Sequence, residues 1–172
     1  MPLGDICQDT FPLQSLKEKL RALCAELHNG RGFFVLRGFP VDVFDRRDSV
    51  IAYTGVSAYV GSLRAWQDPT GSVLAQVTDL SGTHAVGTPA YTNEKQVFHT
   101  DNGDIVSLLA LETADEGGTS KIASSWHVYN LLAKSRPDLI KTLSEDWPCD
   151  KYAVPTSYSF LRSVDCLSPK LD

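Results

Sequence analysis

The sequence predicts an α+β fold in which amphipathic helices lie at both ends of a series of short strands. Leucines recur at spacings of three and four from Leu13 to Leu27, and Asn29-Gly30 ends this helical pattern. Short apolar runs bounded by glycine or turn residues follow, and these are typical of buried strands. A chain of 172 residues, 42% of them hydrophobic, is long enough for one domain with a real core.

Five segments of the chain are predicted to form strands. The first is the aromatic and β-branched run GFFVLRGFP, which has glycines near both ends. This first segment covers residues 32–40. The other four segments are 72–77, 96–99, 105–112 and 119–124. Residues 81–93 hold Gly, Thr, Pro and Asn in quick succession and are predicted to be an irregular loop.

Three further helices are predicted from residues that can cap or open them. Asp45 can cap a helix that runs from Arg46 to about Val60. Ser124 or Ser125 can cap the next helix, and Pro137 is tolerated in the first turn of the last one.

The end of the chain differs in character from the rest. From Tyr152 onward the sequence is rich in Ser and Pro and has neither helical nor strand periodicity. We therefore predict a domain part at residues 1–150 and an atypical tail at residues 151–172.

Composition excludes several classes of protein. The net charge is −5 and no basic patch is evident, so we expect no nucleic-acid partner. The apolar runs are too short to span a bilayer, and residues 1–5 show no secretory signal, so we expect no membrane partner and a cytoplasmic location. Cysteines without a C-x-x-C spacing are then expected to be reduced thiols, at Cys7, Cys24, Cys149 and Cys166.

His99 and Asp101 form the candidate metal site. On a strand, residues two apart face the same side, and imidazole with carboxylate suits Fe(II). By itself the His-x-Asp spacing is a weak signal, and a capping Asp beside a surface His explains it better than a metal site does. Neither His127, at the start of a predicted helix, nor His84, in the irregular loop, is expected to be a further ligand.

A longer pattern of motifs surrounds this pair: Asn93-x-x-x-x-Phe98-His99-Thr100-Asp101, Leu108-x-x-Leu111-Glu112, Gly117-Gly118-Thr119-Ser120 and Tyr129-Asn130-x-Leu132. The pattern resembles the taurine catabolism dioxygenase family of Fe(II)- and 2-oxoglutarate-dependent oxygenases, over roughly residues 13–150. The resemblance implies a distorted double-stranded β-helix, or jelly roll, with flanking helices. We expect a C-terminally truncated member, in which the jelly roll is incomplete at the C-terminal side.

The resemblance also assigns roles to individual residues. It implies metal ligands at His99 and Asp101, a hydroxyl that helps to hold 2-oxoglutarate at Ser120 or its neighbour Thr119, and a substrate-side residue at Asn93. The cofactors would be Fe(II) and 2-oxoglutarate, with ascorbate as reductant, and the partner a small organic substrate. The family also uses a distal His and an Arg that pairs with the far carboxylate of 2-oxoglutarate. Neither the distal His nor the Arg has a match in this chain. Arg162 lies in the atypical tail and has no matching context.

Two alternatives to an independent oxygenase remain open. The chain could be a catalytically inactive, truncated remnant. It could instead be a subunit that completes its site with another copy or a partner chain, because a cut jelly roll leaves sheet edges that recruit strands. A measurement of metal-dependent 2-oxoglutarate turnover distinguishes an independent oxygenase from these two alternatives. We expect the isolated chain to turn over little or no 2-oxoglutarate.

Overall fold

The computed structural model describes residues 2–81, 91–101 and 103–146. Two compact units are present, Met1–Thr119 and Ser120–Asp172. The start of the predicted tail, at residue 151, lies outside the described residues.

Helix α1, Lys17–Asn29, confirms the helix predicted from the leucine pattern. Leu20 is its buried residue, only 3% exposed, whereas Leu16 lies before the helix and is 42% exposed. The helix ends at Gly30, whose N–H donates a 2.9 Å hydrogen bond to the carbonyl of Glu26. The apolar stripe therefore faces the core through the middle of the helix, as amphipathic packing requires.

Helix α2, Arg46–Ser57, begins at the capping residue predicted from the sequence. The Asp45 carboxylate accepts a 2.8 Å hydrogen bond from the N–H of Asp48, which satisfies one of the free donors of the first turn. The helix is three residues shorter than the predicted end at Val60. Turn hydrogen bonds to the carbonyl of Ser57 carry the chain on to Gly61.

The buried residues of the first unit lie in its N-terminal segment, in α1, and in and just after α2. A short 3-10 helix, Leu3–Asp5, leads into Ile6, which is only 1% exposed. The Tyr59 hydroxyl accepts a 2.7 Å hydrogen bond from the N–H of Leu13 and donates one of 3.1 Å to the carbonyl of Phe11. The ring of Phe11 packs so closely on Gly55 of α2 that a side chain there would clash with it.

Arg64 ties the same N-terminal segment to α2. Its guanidinium donates hydrogen bonds to the carbonyls of Leu3 (3.2 Å) and Ile6, and to that of Thr54 (3.4 Å) on α2. Thr54 is itself buried, 1% exposed, and its hydroxyl donates to the carbonyl of Val50. A planar guanidinium with several donors can join separate carbonyls in this way, which an ammonium would do less well.

In the second unit, helices α3, Ser125–Ser135, and α4, Pro137–Leu143, pack against each other. Ser124 caps α3 by accepting a 3.2 Å hydrogen bond from the N–H of His127, and Pro137 opens α4, so both predicted starts are confirmed. Leu143, at the end of α4, is 60% exposed. The described part of this unit therefore holds two helices, of which α3 has a side-chain cap, and neither helix has a fully buried residue.

No strand is formed within residues 2–81, 91–101 and 103–146. The five segments predicted as strands run without paired neighbouring strands. Many of their apolar side chains are exposed to solvent: Val35 is 73% exposed, Val97 79% and Leu108 82%. A strand forms only where a neighbouring strand satisfies its N–H and C=O groups. The jelly roll accordingly stays a prediction.

Cys7 and Cys24 carry free thiols, while Cys149 and Cys166 lie outside the described residues. None of the helices in the described ranges is long and apolar enough to cross a membrane.

Candidate metal centre

The side chains of His99 and Asp101 lie together, as their spacing led us to expect. Nε2 of His99 is 3.6 Å from Oδ1 of Asp101. The segment is not a strand in the described structure, so the distance itself, and not strand geometry, shows that the two side chains lie close together. An imidazole nitrogen and a carboxylate oxygen at this separation can act as two ligands of one metal ion.

The pair is open to solvent. The His99 side chain is 51% exposed and that of Asp101 60%. Exposed ion pairs contribute little stability, so a structural salt bridge is a weak explanation for the arrangement. No group of three potential His, Cys, Asp or Glu ligands occurs among the described residues, so the centre consists of two protein donors there.

A backbone carbonyl lies next to the second ring nitrogen of His99. Nδ1 of His99 lies 2.7 Å from the carbonyl oxygen of Val97, within hydrogen-bonding distance. Ligating histidines commonly use their second ring nitrogen in this way, which fixes the orientation of the ring. Sequence reasoning missed this contact, because every residue carries a carbonyl and nothing in the sequence marks this one.

The remaining predicted site residues are all exposed, and their roles stay predictions. Asn93 lies in a bend that follows Tyr91. The chain bends at 115–116, before Thr119, and both following glycines have positive φ, 78° at Gly117 and 65° at Gly118. Thr119 closes the first unit and Ser120 opens the second.

The structure places none of the other His and Arg residues considered above at the candidate centre. His127 is exposed in the first turn of α3, where its backbone N–H serves the Ser124 cap. His84 and Arg162 lie outside the described residues.

One cavity in the first unit is lined by none of the predicted site residues. It encloses about 680 Å³ and is lined by Leu3, Ile6, Arg46, Arg47, Val50 and Ile51. Neither His99 nor Asp101 contributes to it, so the centre is an open surface site rather than a pocket among the described residues.

Comparison with known proteins adds a family relationship. The family described as "Taurine catabolism dioxygenase TauD, TfdA family" matches residues 2–163, which includes the first part of the predicted tail. Taurine hydroxylase-like protein SAT17 of Stachybotrys chartarum is 37% identical over 169 residues, 94% of this chain and 44% of that protein. FR-33289 synthase of Streptomyces rubellomurinus is 31% identical over 145 residues, 81% of this chain and 42% of that protein.

The chain thus spans less than half the length of these curated relatives. No solved structure gives a significant match to it.

Proposed function

The chain belongs to the taurine catabolism dioxygenase family, and on that premise we propose that it acts in an Fe(II)- and 2-oxoglutarate-dependent oxygenase. The reaction would be hydroxylation, or a related oxidation of a C–H bond, of a small organic substrate. The observation that carries the proposal is the 3.6 Å separation of His99 Nε2 and Asp101 Oδ1. It gives the family's two early ligand positions a geometry that fits a single ion.

The donor set fits the implied metal. One imidazole nitrogen and one carboxylate oxygen are two of the three ligands in the facial triad of non-haem Fe(II) oxygenases. Bound iron with 2-oxoglutarate would supply the oxidising chemistry, in which O₂ converts 2-oxoglutarate to succinate and CO₂ and oxidises the substrate. His99 and Asp101 would hold the ion, and their exposure leaves its other positions open.

The other assigned residues would bind the organic molecules. A hydroxyl of Ser120 or Thr119 would donate a hydrogen bond to a carboxylate of 2-oxoglutarate, and Asn93 would contact the substrate. Taurine is the first substrate to test, because one relative is named a taurine hydroxylase-like protein. We further propose that the five strand-like segments belong to the family's jelly roll.

Metal binding tests the proposal directly. Titration of the 172-residue chain with Mn(II), followed by electron paramagnetic resonance, should show weak binding, since two protein ligands leave the remaining positions to water. His99→Ala should abolish this binding. His28→Ala, which removes an exposed imidazole from the end of α1, should leave it unchanged. Equal binding by both variants would contradict the assignment of the centre.

Turnover is expected to be poor in the isolated chain. No Arg matched to the far carboxylate of 2-oxoglutarate was found in the sequence, and each hydrogen bond to a charged group is worth about 1.5–3 kcal/mol. That loss weakens 2-oxoglutarate binding by roughly tenfold to a hundredfold. Turnover is measured as the release of succinate in the presence of Fe(II), ascorbate and 2-oxoglutarate. Robust release that disappears in His99→Ala would contradict this expectation and mean that another side chain or a partner completes the site.

The exposed apolar side chains favour a second candidate function, a subunit whose sheet is completed by another copy of the chain. Val35, Val97 and Leu108 each expose more than two thirds of their surface within predicted strands. Unpaired strand edges with apolar side chains recruit other strands.

Light scattering over a range of concentrations tests this second candidate. We expect association that Leu108→Glu weakens. Leu63, 92% exposed outside the predicted strands, provides the matched control, and Leu63→Glu should leave association unchanged. A chain that is monomeric at every concentration would contradict self-completion.

A further inference from the structure

We propose that the carbonyl of Val97 is a positioning group which fixes the neutral imidazole of His99 in the tautomer protonated at Nδ1. The lone pair then resides on Nε2, on the side of Asp101, before any metal is bound. This inference rests on the proposed function in one respect: it takes Nε2 as the atom of His99 that binds the metal ion.

The chemistry of the two partners decides which nitrogen carries the proton. A carbonyl oxygen has no hydrogen to donate, so the 2.7 Å contact with Nδ1 is a hydrogen bond only if Nδ1 is protonated. A neutral imidazole carries one N–H, so Nε2 is left as the acceptor and potential ligand. With the proton on Nε2 instead, two lone pairs would face each other at 2.7 Å.

Asp101 is the group that could oppose this tautomer. Its carboxylate would favour a proton on Nε2 if the two atoms were within hydrogen-bonding distance. They are 3.6 Å apart, beyond the usual limit of about 3.2 Å, whereas the Val97 contact is at the short end of the range. The Val97 carbonyl therefore determines which ring nitrogen carries the proton. The lone pairs of Nε2 and Oδ1 are then available to the same ion.

The metal-free chain provides the first test. Long-range ¹H–¹⁵N spectra distinguish a protonated ring nitrogen from one with a lone pair, and they are recorded in alkaline solution, where imidazole is neutral. We expect His99 to carry its lone pair on Nε2, in roughly two- to tenfold excess, the ratio that one neutral hydrogen bond supports. His28 and His127 provide reference signals from exposed imidazoles.

Asp101→Asn separates the carbonyl from the carboxylate as the cause. It removes the charge next to Nε2 and leaves the Val97 carbonyl in place, so the same tautomer should persist. Predominant protonation of Nε2 in the unsubstituted chain would overturn the inference. So would an Nδ1–H tautomer that disappears in Asp101→Asn.

Addition of Zn²⁺ completes the test. It should shift the Nε2 signal of His99 while Nδ1 keeps its proton, and a shift of Nδ1 with loss of its proton would overturn the inference. A chain with the expected tautomer that takes up no metal would support this inference and contradict the proposed function. The two can therefore fail separately.

Discussion

The hydroxyl of Tyr53 donates a 2.9 Å hydrogen bond to Oγ of Ser107, which lies 54 positions further along the chain. Tyr53 is on α2, and Ser107 is in the predicted strand 105–112 that follows the His99–Asp101 pair. This contact connects a well-packed helix with a segment whose apolar side chains are largely exposed. It is therefore a point at which the packed part of the first unit restrains the part that carries the candidate centre.

Removing either hydroxyl should have the same modest effect. Tyr53→Phe and Ser107→Ala should each lower the free energy of unfolding by about 0.5–1 kcal/mol, the lower part of the range for a hydrogen bond because this one is exposed. The double variant should cost no more than one of them, since both remove the same interaction. Urea denaturation of the four proteins measures this, and full additivity would show that the hydroxyls act independently.

Asp45 should stabilise α2 through its cap. Asp45→Ala leaves the N–H of Asp48 without its side-chain partner and should cost about 1 kcal/mol of unfolding free energy. Asp45→Asn keeps an oxygen acceptor at the same position and should cost much less. Circular dichroism during urea denaturation follows the loss of helix. Equal destabilisation by Ala and Asn would indicate that the charge of Asp45, and not the cap hydrogen bond, stabilises the helix.

Two Leu→Ala substitutions should differ sharply because the residues differ in burial. Leu20 on α1 is 3% exposed, and its truncation should cost about 2–5 kcal/mol. Leu63 is 92% exposed, and the same truncation should stay within about 0.5 kcal/mol. Thermal or urea denaturation compares the two. Similar costs would mean that α1 does not pack in solution as described.

The turn at Asp68 should lose stability in acid. The hydroxyl of Thr70 and backbone N–H groups, including that of Ser72, donate to the carboxylate and lower the pKa of Asp68. A carboxyl with a lowered folded-state pKa stabilises the fold above its unfolded pKa of about 3.9. That contribution is lost as the pH falls through the lower folded-state pKa.

A substitution at Thr70 tests the main cause of this shift. Thr70→Val removes the hydroxyl donor, so the pKa of Asp68 should rise towards its ordinary value. Asp79, whose pKa is lowered by Ser81, provides the internal control and should not change. Carbon-13 NMR of the carboxyl groups during a pH titration reads both at once. An unchanged pKa of Asp68 would assign its shift to the backbone donors.

The helices could be predicted from the sequence because their determinants are local. The leucine spacing marked α1, and Asp45, Ser124 and Pro137 marked the starts of the other three. Each of these features acts within one or two turns of its own helix. The end of α2 was placed three residues too late, since helix ends often continue as turns.

The strands could not be predicted with the same security, because strand pairing is non-local. An apolar run such as residues 105–112 indicates where a strand could form, but its partner lies elsewhere in sequence and is not encoded in the run. At the candidate centre, the spacing of His99 and Asp101 was enough to predict their proximity. The Val97 carbonyl and the Arg64 contacts depend on the folded backbone and had no sequence signal.

The contacts of Arg64 also have a consequence for the order of folding. The carbonyls of Leu3 and Ile6 are held by a side chain 61 and 58 positions later, and the hydroxyl of Tyr59 serves Leu13 across 46 positions. Such distant contacts close long loops, which is slow. During synthesis the segment that holds Leu3 and Ile6 must therefore wait for about sixty more residues before it can make these contacts. We expect pulse-labelled hydrogen exchange to show the amide of Leu13 protected later than the amides within α1.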